Sequence, residues 1–107
     1  MNEAERRAAR HYRLRGYRIL ATNAWAGPYE LDVVARRGRR LVFCEVKSRV
    51  DDLHGAAHEM VSVEKQRRVR RAAEAWLQQH PELDPLDVRF DVVAVDGGAL
   101  TRIADAF

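Results

Sequence analysis

Three charged residues interrupt apolar, strand-like runs and supply this sequence with groups that can do chemistry. Asp32 lies inside Leu31-Asp32-Val33-Val34-Ala35. Glu45 and Lys47 close the run Leu41-Val42-Phe43-Cys44-Glu45-Val46-Lys47. An ionised group in such a run is costly unless it is paired, metal-bound or placed at an opening of the sheet. Strand side chains alternate, so Glu45 and Lys47 share a face with Cα atoms roughly 7 Å apart. If the two runs form a hairpin around Gly38, Asp32 faces the Glu45 region across the ladder. Two carboxylates held close repel one another, and a hard cation relieves that repulsion. Lys47 beside them can donate to a phosphate oxygen or orient a water.

Other residues carry weaker signals, each with a plainer alternative. Glu5 lies three to four residues before the small or apolar stripe Ala8, Ala9 and Tyr12, so it points toward the core side; as a lone helix acid beside Arg6 it is equally an ion-paired surface group. Glu30 shares a strand face with Asp32 and is either a further ligand or a hairpin-edge charge, the second being favoured. His54 and His58 are spaced for one helix face, as a transition-metal pair would be, but no third ligand is evident. Trp25 can stack on an exposed base or pack over the sheet edge. Trp76 falls on an apolar helix stripe and reads as core. Cys44 shares its face with Val42 and Val46 and reads as a small buried hydrophobe. Asp91 interrupts the β-branched run Val88 to Val95, and an inward acid bonded to backbone would look the same as a site acid.

The elements that must position these groups follow from periodicity and breakers. Residues 3 to 15, rich in Ala, Arg and Glu, predict a helix ended by Gly16. Tyr17 to Thr22 predicts a strand and Asn23 to Tyr29 a loop around Gly27-Pro28. Glu30 to Arg36 and Arg40 to Lys47 predict two strands joined across Arg37-Gly38-Arg39. Residues 48 to 61 give no firm signal. Ser62 is the N-cap of a helix reaching about His80, with Val63, Val69, Ala72, Ala73, Trp76 and Leu77 as its stripe. Val88 to Val95 is a strand, Gly97-Gly98 a turn, and Leu100 to Ile103 a short final strand. The order αβββαβ, with strands apolar on both faces, predicts an α/β domain whose central mixed sheet is flanked by helices.

Composition sets the boundaries. The chain's 107 residues, 47% hydrophobic and 33% charged, describe a single domain over 1–107 that can bury a core without staples. The longest apolar runs are far short of the about 20 residues of a membrane span. The N-terminus is charged from Glu3 onward without an apolar h-region, and the single Cys44 suits a reducing compartment; a cytoplasmic protein is the expectation. The net charge of +3 hides an asymmetry: residues 1 to 71 carry 17 basic and 9 acidic side chains, residues 72 to 107 carry 2 and 7. The first part should attract a polyanion. Arg supplies 17 of the 19 positive charges, and its fork suits phosphate, although a genome rich in G and C also inflates Arg.

Asp32, twelve intervening residues and then Glu45-Val46-Lys47 resemble the PD-(D/E)xK signature of restriction-endonuclease-like nucleases. More closely, the chain resembles the uncharacterised bacterial YraN-like family, related to Holliday-junction resolvases. The likeness covers almost the whole chain: Glu5 and Ala8, Gly16-Tyr17, Ile19-Leu20, Asn23, Glu30-Leu31-Asp32, Val42 through Arg49, Gly55, Lys65 and Arg89-Phe90-Asp91-Val92-Val93. Two positions depart from that pattern: Tyr29 where Gly is common, and Cys44 where an aliphatic residue is usual. The resemblance implies a restriction-endonuclease-like fold and Mg²⁺- or Mn²⁺-dependent hydrolysis of DNA phosphodiesters, including branched or junction DNA. Asp32, Glu45 and the Val46 carbonyl would bind the metal, Glu5 would act through water, and Lys47 would be the active-site lysine. Arg6, Arg10, Arg13, Arg36, Arg37, Arg39, Arg40, Arg49, Lys65, Arg67, Arg68, Arg70 and Arg71 would grip phosphates, and a homodimer would cut two strands. A nucleic-acid-binding module without hydrolysis is the second reading. A protein-interaction partner in DNA processing, docking through the acidic C-terminal third, is another.

Overall fold

The computed structural model describes residues 1–48, 61–83 and 86–107. Helix α1 (Glu3–Arg13) is followed by strands β1 (Arg18–Ala26), β2 (Tyr29–Arg37) and β3 (Arg40–Lys47). Helix α2 (Val63–Gln78), a single 3-10 turn, and strands β4 (Asp87–Asp96) and β5 (Ala99–Ile103) complete the chain. The five strands lie in the order β1-β2-β3-β4-β5, antiparallel except for the parallel pair β3 and β4. Because β3 and β4 run parallel, the connection between them must cross over, and α2 lies on it. This is the expected αβββαβ core with β5 added at the edge, the restriction-endonuclease-like arrangement. No helix among the described residues is long and apolar enough to cross a membrane.

The alternation of β3 explains why both faces are covered. Leu41 and Phe43 pack with Val69, Ala72, Ala73 and Trp76 of α2. Val42 and Cys44 pack with Ala4, Ala8 and Tyr12 of α1. Phe43 and Trp76 are wholly or almost wholly buried, their rings edge-to-face at 5.8 Å, so Trp76 is core as its stripe predicts. Cys44 is also buried, and burial pushes its thiol up, which keeps it un-ionised.

The helix starts are fixed by capping. Asn2 accepts from the Glu5 N–H at 2.8 Å and donates its own N–H to Glu5 Oε1 at 2.8 Å, a reciprocal capping box. Ser62 caps α2 through the Lys65 N–H at 3.1 Å. Glu5 and Lys65 are therefore the third residues of their helices.

One element differs from expectation. Residues 23 to 26 are strand, not loop: Ala24 pairs with Leu31, Trp25 with Glu30 and Ala26 with Tyr29. The connection shrinks to Gly27-Pro28, where Gly27 takes φ +66° and proline has no N–H for a ladder to lose, a combination suited to a two-residue hairpin. The polar Asn23 conceals this continuity. It sits within β1 at φ +47°, a left-handed conformation asparagine tolerates better than most residues.

Candidate active site

The β2/β3 register places Val33 opposite Cys44. One step further along the same ladder sets Asp32 opposite Glu45, the juxtaposition expected from a turn at Gly38. Asp32 Oδ2 accepts the Val46 N–H at 2.9 Å, which fixes its side chain against β3. Val46 enters the described contacts of the site through this N–H.

Glu5, from the first turn of α1, stands almost fully buried at the same end of the sheet. Single carboxylate oxygens of Glu5, Glu30 and Asp32 all lie within 4.8 Å of one another. Glu30 is thus part of an acidic cluster rather than the simple hairpin-edge charge its position suggests, and Asn23 Nδ2 approaches its Oε1 at 3.5 Å. Glu45 is 5% exposed, and its Oε2 meets Lys65 Nζ at 3.1 Å. Lys65, expected as a phosphate grip, therefore balances the buried carboxylate. Lys47 joins Glu45, Val61, Ser62 and Lys65 in lining a cleft of about 160 Å³.

Four carboxylates thus meet where one lysine is paired and another stands near. The electrostatic consequence falls on Asp32. Burial, then the charges of Glu45 and Glu5, push its carboxyl up to about 7 against the opposing bond from Val46. A carboxyl that resists ionisation because it is buried, and buried beside other carboxylates, is suited to a divalent cation. The donors are hard oxygens, which suit Mg²⁺ or Mn²⁺ better than a soft metal. The residues present fit such an ion.

The basic residues expected to grip phosphates do not lie together. Arg36, Arg37, Arg39 and Arg40 surround the β2–β3 turn, at the opposite end of the sheet. Asp32 and Arg37, like Arg40 and Glu45, are five steps apart along their strands, roughly 16 Å. There Arg18, Arg36, Arg37, Gly16 and Gly38 line a cleft of about 310 Å³. Arg37 itself is held by the Arg15 carbonyl at 2.9 Å and lies 4.6 Å over the Tyr17 ring, so it shapes that cleft. Arg6, Arg10 and Arg13 are all exposed and recur at helical spacing, which extends positive charge along α1 from the acidic end toward the turn. Arg6 is also within 3.8 Å of Glu3.

On α2, Arg67 and Arg71 are exposed, Arg68 pairs with Glu64 at 2.6 Å, and the Arg70 guanidinium lies 4.8 Å over Phe90. Since α1 and α2 cover opposite faces, their arginines address different surfaces. Arg18, which lines the turn cleft, escaped sequence reading because it stands alone between apolar residues. Arg49, Gly55, His54 and His58 lie outside the described residues.

Asp91 is not part of this cluster. It is 1% exposed, accepts from Tyr12 Oη, Arg102 Nε and the Asp105 N–H, and joins α1 to β4 and β5.

Comparisons with known proteins extend over most of the chain. A family model described as "Uncharacterised protein family UPF0102" matches residues 4–95. The chain is 46% identical over 88 residues to a UPF0102 protein of Parafrankia sp. (strain EAN1pec), covering 82% of this chain and 74% of that one. A Nitrobacter winogradskyi UPF0102 protein is 45% identical over 100 residues, 92% and 82% of the two chains. One from Magnetococcus marinus is 41% identical over 109 residues, 98% and 88%.

Proposed function

The chain belongs to the uncharacterised protein family UPF0102, and from its site we propose that it hydrolyses DNA phosphodiester bonds with Mg²⁺ or Mn²⁺. One observation carries this reading: Asp32, Glu45 and Glu5, from three different elements, converge at one end of the sheet, with Lys47 on the Glu45 face. Asp32, Glu45 and the Val46 carbonyl would hold the ion, with Glu5 and Glu30 beside them. When bound, such an ion makes water nucleophilic near neutral pH and offsets charge on phosphate oxygens.

The chain's own residues do the rest. The Val46 N–H holds Asp32 in one orientation, so the ligand is positioned before substrate arrives. Lys65 anchors Glu45. Lys47 brings an ammonium to the place where a phosphate would gain negative charge, a contribution worth most in a partly enclosed cleft. The arginines of α1 and of the turn cleft supply contacts that position a backbone without reading its sequence. Cutting both strands of a duplex with one site per chain calls for a homodimer.

The test is cleavage of four-way, flap, linear and single-stranded DNA by the purified chain with Mg²⁺ and with Mn²⁺. Wild type should cleave at least one substrate, and Lys47→Ala should be slower by about a hundredfold. Equal rates for the two proteins would reject Lys47's role. No metal-dependent cleavage of any substrate would reject the hydrolase reading.

The ion pair between Glu45 and Lys65 favours a second reading, a nucleic-acid-binding module that holds its carboxylate neutralised without a metal. That reading predicts salt-sensitive binding and no cleavage. Both readings make a prediction about the turn cleft. Charge reversal at Arg18 and Arg36 together should lower affinity for every sequence alike. It should also flatten the log affinity against log salt slope by about 1 for each phosphate contact removed. A titration across salt concentrations measures this, and an unchanged slope would place the DNA elsewhere.

A further inference from the structure

Trp25 is 66% exposed, whereas Trp76 is buried between Phe43 and His80. Among the described residues, no ring or guanidinium contacts the Trp25 indole. Leaving so large an apolar ring in water forgoes its burial energy, so its surroundings matter. Trp25 pairs with Glu30 across the β1/β2 ladder. Directly opposed residues of an antiparallel pair project on the same face with Cα atoms roughly 4.5–5.5 Å apart. The Glu30 carboxylate belongs to the cluster with Glu5 and Asp32. The indole is therefore rooted at the rim of the acidic site.

Its support is rigid. The ladder continues past it to Ala26 and Tyr29, the turn is only Gly27-Pro28, and Tyr29 packs against the core beneath α2. A large flat side chain on a fixed strand needs little ordering to receive a ligand. The chemistry of that ligand is constrained from both sides. The carboxylates admit an anion only with a divalent cation between them, as a phosphodiester would meet at the proposed metal site, while an indole face offers stacking and no charge. A nucleobase has the matching flat face. In continuous duplex the bases are stacked on one another and unavailable, but at a strand end, flap or branch they are free.

We propose that Trp25 is a stacking platform for an unpaired nucleobase beside the phosphate bound at the carboxylates. The substrate class is accordingly DNA with unstacked nucleotides rather than continuous duplex. This rests on the proposal that phosphodiesters enter at the Asp32 and Glu45 site, and the test separates the two.

Binding is measured with Ca²⁺, a hard cation that can occupy the carboxylates, in place of Mg²⁺ or Mn²⁺, with substrate integrity checked on a gel, using the full chain with a flap duplex and a continuous duplex of equal length. The flap should quench the solvent-exposed tryptophan emission while the buried Trp76 component stays constant, and the continuous duplex should not. Trp25→Ala should weaken flap binding by roughly tenfold or more and leave duplex binding unchanged. Trp25→Phe, which keeps a ring, should restore most of the difference. If Trp25→Ala keeps the wild-type ratio of flap to duplex affinity, or if duplex quenches Trp25 equally, the platform is overturned even in a chain that cleaves. If the discrimination depends on Trp25 in a chain that cleaves nothing, the platform stands and the hydrolase reading fails.

Discussion

Asp32→Asn should abolish metal-dependent cleavage, by about a thousandfold or more, and at the same time raise the thermal stability of the chelator-treated protein. The two effects have one cause. Asp32 is packed against Glu45 and Glu5, and burial together with those charges holds its carboxyl up at about 7 in the folded state, against about 3.9 in an unfolded chain. Below about pH 4 both states hold the proton and the group contributes nothing. Between about 4 and 7 the folded state keeps a proton that the unfolded state has released, so stability falls as pH rises. Above 7 the full penalty remains, on the order of 2–4 kcal/mol.

Asparagine removes the charge yet keeps a carbonyl oxygen to accept the Val46 N–H. Its melting temperature in chelator at pH 8 should therefore exceed wild type by about 10 °C or more, at about 4–8 °C per kcal/mol for a domain near this size. The gap should close toward pH 4. Added Mg²⁺ or Mn²⁺ should stabilise wild type by binding the folded state, and the variant much less. Thermal denaturation across pH, with and without metal, checks both signs. A variant that is less stable than wild type at pH 8, or that gains as much from metal, would remove Asp32 from the proposed ligand set.

The opposition of Asp32 and Glu45 was legible because it depends on local facts. A short turn at Gly38 fixes the register, and a period of two fixes the faces. The same arithmetic separates the turn arginines from the acids by about 16 Å, so the basic residues expected to grip phosphates do not lie together. Ser62 announces α2 because a hydroxyl before an amphipathic run has a specific use.

What the sequence did not reveal is tertiary. Nothing in residues 29 to 32 shows that Glu30 turns its carboxylate toward Glu5, since that depends on where α1 docks and on the left-handed Asn23 in the neighbouring strand. Nor does the spacing of Glu45 and Lys65, twenty residues apart, show that the first turn of α2 delivers an ammonium to β3. Lys65 looks the same as its basic neighbours on the helix until the sheet is placed beneath it.

The remaining acid with a large expected effect is Asp91, and its effect should be structural. Its two oxygens accept Tyr12 Oη at 2.6 Å, Arg102 Nε at 2.9 Å and the Asp105 N–H at 2.9 Å, at 1% exposure. Burial and the neighbouring charge on Asp91 push the Tyr12 phenol up, so it stays protonated and donates. The Arg102 guanidinium lies 4.8 Å over the Tyr12 ring and 5.6 Å from Tyr17, held between β5 and α1 by the same carboxylate.

Asp91→Ala strands all three donors and leaves Arg102 half-buried without its counter-charge. Breaking a buried pair in this way costs about 3–5 kcal/mol, a large share of the about 5–15 kcal/mol that holds a domain together. Tyr12→Phe removes one donor and keeps the ring, and should cost only about 1 kcal/mol. Urea unfolding of the two variants should show this ranking, with cleavage by the folded fraction little changed. If Asp91→Ala left the unfolding midpoint in place and cleavage fell, Asp91 would belong to the chemistry. The hydrogen bonds that bind α1 to β4 would then not explain why this strand carries an acid.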